Sequence, residues 1–357
     1  HLTDKATLTT GVRDTYEKKT STSSKGATFF DGTPLTDLGV LGGALGASAS
    51  QDAAATAIRA SQLGAAYPKV AGLPIEGSAV SWLFSPSYQV TEGALLYSSV
   101  ASGQKSGSVQ FSTAGAPQNV SPEKVFDIEL GLKSVLLDRK LLVNVNLYRT
   151  HVRDYQQVTS VVDPVTTQLR NDGSLYYASV LGNIPGITAR GVEFDLEYNP
   201  IRILTLTLGG AYNRAVYTNW HTATCAPELN VTSKNVVCDN TGRQAVAAPT
   251  YINTAGVDFH HPVYHGYGVH FFATNVFRTR QNFDVTLSRY GWQGAYSVTD
   301  AGVGVITADG AFELDFLARN AFDTRYTTSI SGAGTDRISY DGIGPRRWVG
   351  LALHVKL

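Results

Sequence analysis

Apolar residues recur at every second position along most of this chain, and that period fits extended strands rather than helices. In Val125–Lys133, the residues Phe126, Ile128, Leu130 and Leu132 alternate with Asp127, Glu129, Gly131 and Lys133. Leu141, Val143, Val145 and Leu147 alternate with Asn144 and Asn146 in the same way. The pattern returns in Gly191–Tyr198, Leu204–Leu208, Phe312–Phe316 and Val349–Leu357. Successive side chains of a strand point to opposite faces, so each segment has one apolar face and one polar or small face. A soluble sheet would bury the apolar face in a core. A membrane barrel would turn it to lipid and leave the other face to a wet lumen.

Connector lengths separate these two architectures. About twelve strands are expected, at 5–16, 78–86, 92–100, 123–135, 140–158, 185–199, 202–217, 249–260, 266–279, 293–306, 311–328 and 344–357. Short connectors are expected at Pro86–Thr91, Leu136–Arg139, Asn199–Pro200, His261–His265 and Thr307–Gly310. Long ones fall at about 17–77, 101–122, 159–184, 218–248, 280–292 and 329–343. Short turns at one end and long loops at the other are the build of an outer-membrane barrel. The expected fold is therefore all-β, a transmembrane antiparallel β-barrel with the long 17–77 loop outside the cell. A helix is expected within that loop, capped by Ser48–Asp52, running through Ala53–Ala60 and ending before Gly64.

Composition narrows the function classes. The 29 Lys and Arg residues balance 29 Asp and Glu residues, and charged residues make up 16% against 43% hydrophobic ones. That balance does not suit a disordered chain or a nucleic-acid binder. No apolar run approaches the roughly 18 residues of a membrane helix. The chain has no methionine and opens at His1 within a strand-like pattern. A processed or partial chain is expected, with no visible signal peptide.

Cys225 and Cys238 share one long loop. A disulfide between them would close a short ring worth roughly 3 kcal/mol on chain-entropy grounds, and an oxidising compartment suits it. Free thiols and metal binding by the pair are the alternatives.

Four stretches resemble the barrel of TonB-dependent outer-membrane receptors. The first is Ser121-Pro122-Glu123 leading to Glu129–Lys133, then Leu142–Asp154 with Tyr155-Gln156. The others are Gly186–Glu193, Arg319–Tyr326, and Gly342–Trp348 opening the last strand. Ser81–Pro86 and Ser102–Gly107 also fit. The order and spacing of these stretches over residues 78–357 carry the match. The resemblance implies a barrel of about 22 strands with a plugged lumen, of which this chain supplies the C-terminal part. The early strands, the N-terminal plug and the TonB-contacting segment would lie outside the chain. The family usually ends in an aromatic residue that aids assembly, whereas this chain ends in Leu357. Trp348, Leu351, Leu353, Val355 and Leu357 are read as the assembly strand.

Candidate ligand contacts are Tyr176, Tyr177, Trp220 and His221 in predicted outer loops, although buried loop aromatics are the commoner case. His151, Arg153 and Arg278 are read as lining the mouth of the lumen. Carboxylates at Asp127, Glu129, Glu193, Asp195, Glu197, Glu313 and Asp315 are read as the polar interior of a wide barrel, pairing with Lys133 and Arg319 or with a plug. Tyr198, Tyr212, Tyr251, Tyr267 and Trp348 suit interfacial belts. His260, His261 and His265 are read as turn and interface residues rather than a metal site. No HExxH, GxSxG or GxxxxGK[ST] pattern occurs, so no enzyme activity, cofactor or metal is expected. The leading expectation is TonB-dependent uptake of a scarce ferric siderophore, cobalamin or carbohydrate. Its expected partners are outer-membrane lipid, the TonB complex and the small-molecule or metal-chelate ligand, with no nucleic acid. A passive pore formed by this chain alone and a soluble β-rich binding module are the alternatives.

Overall fold

Each of the expected strands forms and pairs with its neighbour in sequence. The computed structural model describes residues 3–35, 38–63, 66–112, 115–163, 167–168, 175, 177–229, 237–307, 309–331 and 340–356. Twelve strands make one antiparallel sheet in chain order. They are β1 (Ala6–Lys19), β2 (Ile75–Thr91), β3 (Ala94–Lys105), β4 (Glu123–Leu136), β5 (Leu141–Val162) and β6 (Tyr177–Ile201). Then follow β7 (Leu204–Tyr217), β8 (Tyr251–Pro262), β9 (Tyr267–Arg278), β10 (Tyr296–Thr307), β11 (Phe312–Arg319) and β12 (Trp348–Val355). β1 and β12 are the two outer strands of the sheet, and no pairing joins them among the described residues.

The alternation of connectors holds. The turns 92–93, 137–140, 202–203, 263–266 and 309–311 lie at one end, and the long loops lie at the other. Antiparallel hairpins need only a few residues to reverse, so the long connectors have another use. Among the described residues five of them carry two-stranded extensions: Thr22–Lys25 with Tyr67–Ala71, Ser108–Phe111 with Pro117–Val120, Ala223–Thr224 with Val237–Cys238, Gln281–Asn282 with Trp292–Gln293, and Thr327–Ser331 with Tyr340–Ile343.

One face of the sheet is apolar and uncovered. Leu351 and Leu353 of β12 are 71% and 64% exposed, and Val303, Leu314 and Phe316 on the adjoining strands lie on the same face, each about half exposed. Among the described residues no second layer packs on them, and so continuous an apolar band suits the lipid-facing side of a barrel wall. The opposite face carries Asp127, Glu129, Asn146 and Glu193. No helix among the described residues is long and apolar enough to cross a membrane.

Several boundaries differ from expectation. The turn placed at Pro86–Thr91 is strand, and the reversal comes at Glu92-Gly93. Pro86 has no N–H to give the ladder, yet β2 continues through it, paired to Leu8 of β1. Strand extends into the loop expected at 159–184, taking in 159–162 and 177–184, because β5 and β6 stay paired from Leu141↔Tyr198 up to Val162↔Tyr177. β11 was expected to run to 328 and stops at Arg319. There Asn320 takes a left-handed conformation (φ 45°) and its side chain closes a turn. Asn320 Nδ2 donates to the carbonyls of Thr324 and Pro345, each at 2.9 Å, and Oδ1 accepts from the Thr324 N–H at 2.8 Å.

The first long loop holds two helices rather than one, α1 (Leu38–Leu45) and α2 (Ala49–Leu63). α2 starts at the predicted cap: the Ser48 N–H donates to Gln51 Oε1 at 2.8 Å and the Gln51 N–H donates to Ser48 Oγ at 3.4 Å. These reciprocal bonds satisfy first-turn donors. α1 escaped prediction because three glycines interrupt its short LGVLGGAL segment.

Candidate functional site

Carboxylates of the inner face are held by neighbouring strands. Asp127 accepts from the Thr150 hydroxyl at 2.5 Å. Glu129 accepts from the Tyr97 hydroxyl and from Asn146 Nδ2, the latter at 2.8 Å, and Asn146 also reaches Glu193 at 3.4 Å. Cross-strand neighbours sit close enough for such ladders. Lys133 lies over the Tyr97 ring at 5.5 Å instead of meeting a carboxylate, and Arg319 pairs with Asp300 at 2.8 Å. These groups are bonded to one another, as a wet barrel wall requires.

The largest buried apolar cluster sits at the long-loop end. Tyr217 is fully buried and Trp220 is 4% exposed, with ring centroids 4.6 Å apart in an edge-to-face arrangement. Val152, Ile184, Ile187 and Leu287 close around them. The expectation that Trp220 offers its ring to a ligand is therefore corrected: the ring is the anchor of its own loop. An aromatic pair of this kind contributes packing area and an added electrostatic preference.

That loop is cross-linked. Cys225 and Cys238 are joined in a disulfide with their Cα atoms 5.0 Å apart. His221 is exposed beside the bridge and its Nδ1 lies 3.0 Å from Asp239 Oδ2. Side-chain and backbone hydrogen bonds from Thr241, together with His221, hold the Asp239 carboxyl down at about 2. The 218–250 loop is also tied to the 279–295 loop. Glu228 Oε1 accepts from the Ser288 hydroxyl and from the Arg289 N–H, both at 2.9 Å. The Ala247 N–H donates to the Asn282 carbonyl at 2.8 Å.

Exposed cation–aromatic pairs project from this braced loop. Arg280 lies over the Trp292 ring at 5.0 Å, and Arg289 over the Tyr290 ring at 4.7 Å. All four residues are exposed. They were not read from the sequence, although the Arg289-Tyr290 adjacency was a usable signal.

Of the expected mouth residues, Arg278 lies on the inner-facing set with Ile252 and His270. His151 and Arg153 do not. Val152 between them packs inward against the Tyr217 cluster, so both neighbours face outward. His151 Nδ1 meets the Thr188 hydroxyl at 2.9 Å on that outer side. The sequence pattern missed this because the polar run at the top of β5 conceals which face each residue takes. Trp348 is likewise corrected: it alternates against Val349 and Leu351 and covers Gly350 on the inner face, so it is not part of an outer aromatic belt. Tyr198, Tyr212 and Tyr267 are exposed on the outer face as expected. Tyr176 and Leu357 lie outside the described residues, and Tyr177 is described as strand backbone. The histidine group at the short turn divides. His261 stacks on Phe259, with centroids 6.1 Å apart, on the outer face. His260 faces inward and stacks on His270 at 4.2 Å.

Residues 1–321 match the family described as TonB-dependent receptor-like, β-barrel. The chain belongs to the TonB-dependent receptor family. Solved structures similar to this receptor chain agree in fold. The ferric yersiniabactin uptake receptor from Yersinia pestis aligns with a TM-score of 0.69 at 18% identity, over 99% of this chain and 44% of that one. The ferric-catecholate import receptor from E. coli K12 in its closed form gives 0.60 at 17%, over 99% and 42%. The siderophore receptor from Acinetobacter baumannii gives 0.59 at 17%, over 99% and 41%. The receptor chain thus spans less than half the length of each of these three. It is an outer-membrane β-barrel chain, and the soluble-module reading is set aside.

Proposed function

We propose that this chain forms the C-terminal wall and outer loops of a TonB-dependent importer whose cargo is an anionic metal chelate. The observation that carries the reading is the pair of exposed arginine–aromatic contacts, Arg280–Trp292 and Arg289–Tyr290, on a loop braced by Glu228. A guanidinium attracts a carboxylate or phenolate oxygen, and an adjacent ring stacks on the flat parts of a chelator. Ferric catecholates carry both features, whereas cyanocobalamin and neutral carbohydrates carry no net negative charge. The siderophore receptors similar in fold support this choice by analogy. Ligand binding would be followed by energy-driven passage, with the TonB complex acting through a plug supplied outside this chain.

Uptake of a radiolabelled ferric catecholate by cells expressing the native-length receptor tests the proposal. Uptake abolished by an uncoupler supports active import, and uptake insensitive to it favours a passive pore. Arg289→Ala and Arg280→Ala should each weaken binding of the ferric chelate about two- to thirtyfold, the span of a cation–aromatic contact from exposed to desolvated. Equal affinity for the chelate in wild type and both variants, or tighter binding of cobalamin, defeats it.

A further inference from the structure

Near the short-turn end of the inner wall, residues from five strands fall into one lateral row. Register aligns His260 of β8 with His270 of β9, His270 with Gly304 of β10, Gly304 with Asp315 of β11, and Asp315 with Ala352 of β12. Glu313 and His354 face each other one pair below. Gly304 is what lets β9 and β11 meet across the strand between them, since a Cβ there would lie 1.8 Å from Asp315 Oδ1.

Over that glycine, His270 Nδ1 is 3.2 Å from Glu313 Oε1 and 3.6 Å from Asp315 Oδ1. His270 is 9% exposed and Asp315 5%. Yet His270 Nδ1 and Asp315 Oδ1 are both buried without a hydrogen-bond partner. Leaving buried polar atoms unpaired is costly, so two such atoms 3.6 Å apart call for an occupant. The opposite ring nitrogen of His270 has a different environment. Nε2 lies 3.6 Å from Asp258 Oδ2, and Asp258 Oδ1 in turn pairs with His260 Nε2 at 2.9 Å.

We propose that His270 Nδ1, Glu313 and Asp315 bind a divalent first-row transition-metal ion of the zinc class, with Asp258 orienting the histidine from behind. Nitrogen and oxygen ligands about 2.0–2.2 Å from such an ion stand roughly 3.0–3.5 Å from one another, close to the separations found here. The three donor atoms, like those of Asp258, His260 and His270, lie within 4.8 Å of each other. The Nδ1 side is the better site because both unpartnered buried atoms, His270 Nδ1 and Asp315 Oδ1, are there. A histidine that ligates through one nitrogen and presents the other to a carboxylate is the arrangement that fixes tautomer and ring angle. His354, 3.9 Å from Asp315 Oδ2 on β12, offers a second imidazole beside the site. One imidazole with two carboxylates suits Zn2+, Mn2+ or Fe2+ better than a soft monovalent ion. Such an ion ties β9 to β11 across β10 and stabilises this part of the wall by mass action.

The test uses the native-length receptor, purified in detergent, stripped with a chelator and titrated with Zn2+ alone. One tightly bound equivalent is expected. His270→Gln and Glu313→Gln should each weaken it tenfold or more, and Asp258→Asn about tenfold, as outer-shell partners do. Heat-modifiable migration and far-UV circular dichroism verify that each variant is folded, and Glu313 is the safest change because it is the more exposed carboxylate. X-ray absorption on the wild-type zinc form gives a reading independent of any variant: a shell of imidazole nitrogen and carboxylate oxygen supports the site. No stoichiometric zinc, a shell containing sulfur, or undiminished binding in folded Glu313→Gln and His270→Gln proteins overturns it.

Discussion

Arg346 and Asp323 clasp the base of the last long loop. Arg346 Nε donates to Asp323 Oδ1 at 2.8 Å, its Nη2 reaches Oδ2 at 2.5 Å, and the Arg347 N–H adds a third bond to Oδ1 at 3.0 Å. Paired bonds from one guanidinium fix orientation as well as contact. Asp323 follows the Asn320 turn that ends β11, and Arg346 precedes β12, so the clasp sets how the last strand enters the sheet. The Arg346 hydrogen bonds hold the Asp323 carboxyl well below its ordinary range. Asp323→Asn should leave the strands paired and loosen the 320–347 loop. Limited proteolysis should cut that loop faster in the variant, and equal cleavage rates would refute the role given to the clasp.

Asp239 supplies a pH dependence with a definite sign. Its folded carboxyl titrates at about 2 against an ordinary value of 3.8. A depressed folded value favours the ordered loop at all pH values above 3.8, and that contribution fades as pH falls from about 4 towards 2. Loop protection in hydrogen exchange should therefore be level from pH 7 to 5 and decline below 4. Asp239→Asn should remove the decline. A variant that keeps the same acid-dependent loss would assign the effect to another group.

Trp220→Ala should cost about 3–5 kcal/mol of local loop stability, as removal of a large buried aromatic does. The opening should stay within 218–250 and 279–295, because the strands are held by their own ladder. Opening the disulfide with Cys225→Ser should cost roughly 3 kcal/mol in the chain-entropy account, again locally. Hydrogen exchange of the amides around Tyr217 and Ala245 measures both. Loss of the whole barrel in either variant would contradict a loop-confined core.

Leu351→Arg and Leu353→Arg test the lipid-facing side of β12. A cation on that side costs about 2–4 kcal/mol at the bilayer midplane and less near an interface. Ala352→Ser, on the inner face of the same strand, should be tolerated. The yield of heat-modifiable protein in the outer membrane reads the difference. Equal yields for all three would reverse the faces assigned here.

The inner and outer faces were legible wherever apolar and polar residues strictly alternate, as from Phe126 to Lys133. They were not legible at the top of β5. There His151, Arg153 and Val152 follow no such pattern, and Val152 turns inward because a loop core covers it. Trp220 misled for a related reason. An aromatic in a loop looks available until the chain around it is seen to close. Asn320 shows the converse. Its motif was legible, but not that its side chain would stop β11 nine residues early.

The sequence by itself determined the strands, their order and the alternation of short turns with long loops, because period-two patterning and turn chemistry act over a few neighbouring residues. It also determined membership of an outer-membrane barrel family, since those signals repeat along the whole chain. Only the tertiary structure decided which charged residues meet. His270 and Asp315 are 45 positions apart in sequence and become neighbours through strand register and a glycine that leaves room between them. Glu228 finds Arg289, 61 positions away, by the approach of two loops. Local pattern carries no information about such contacts, because they depend on where whole strands lie relative to one another.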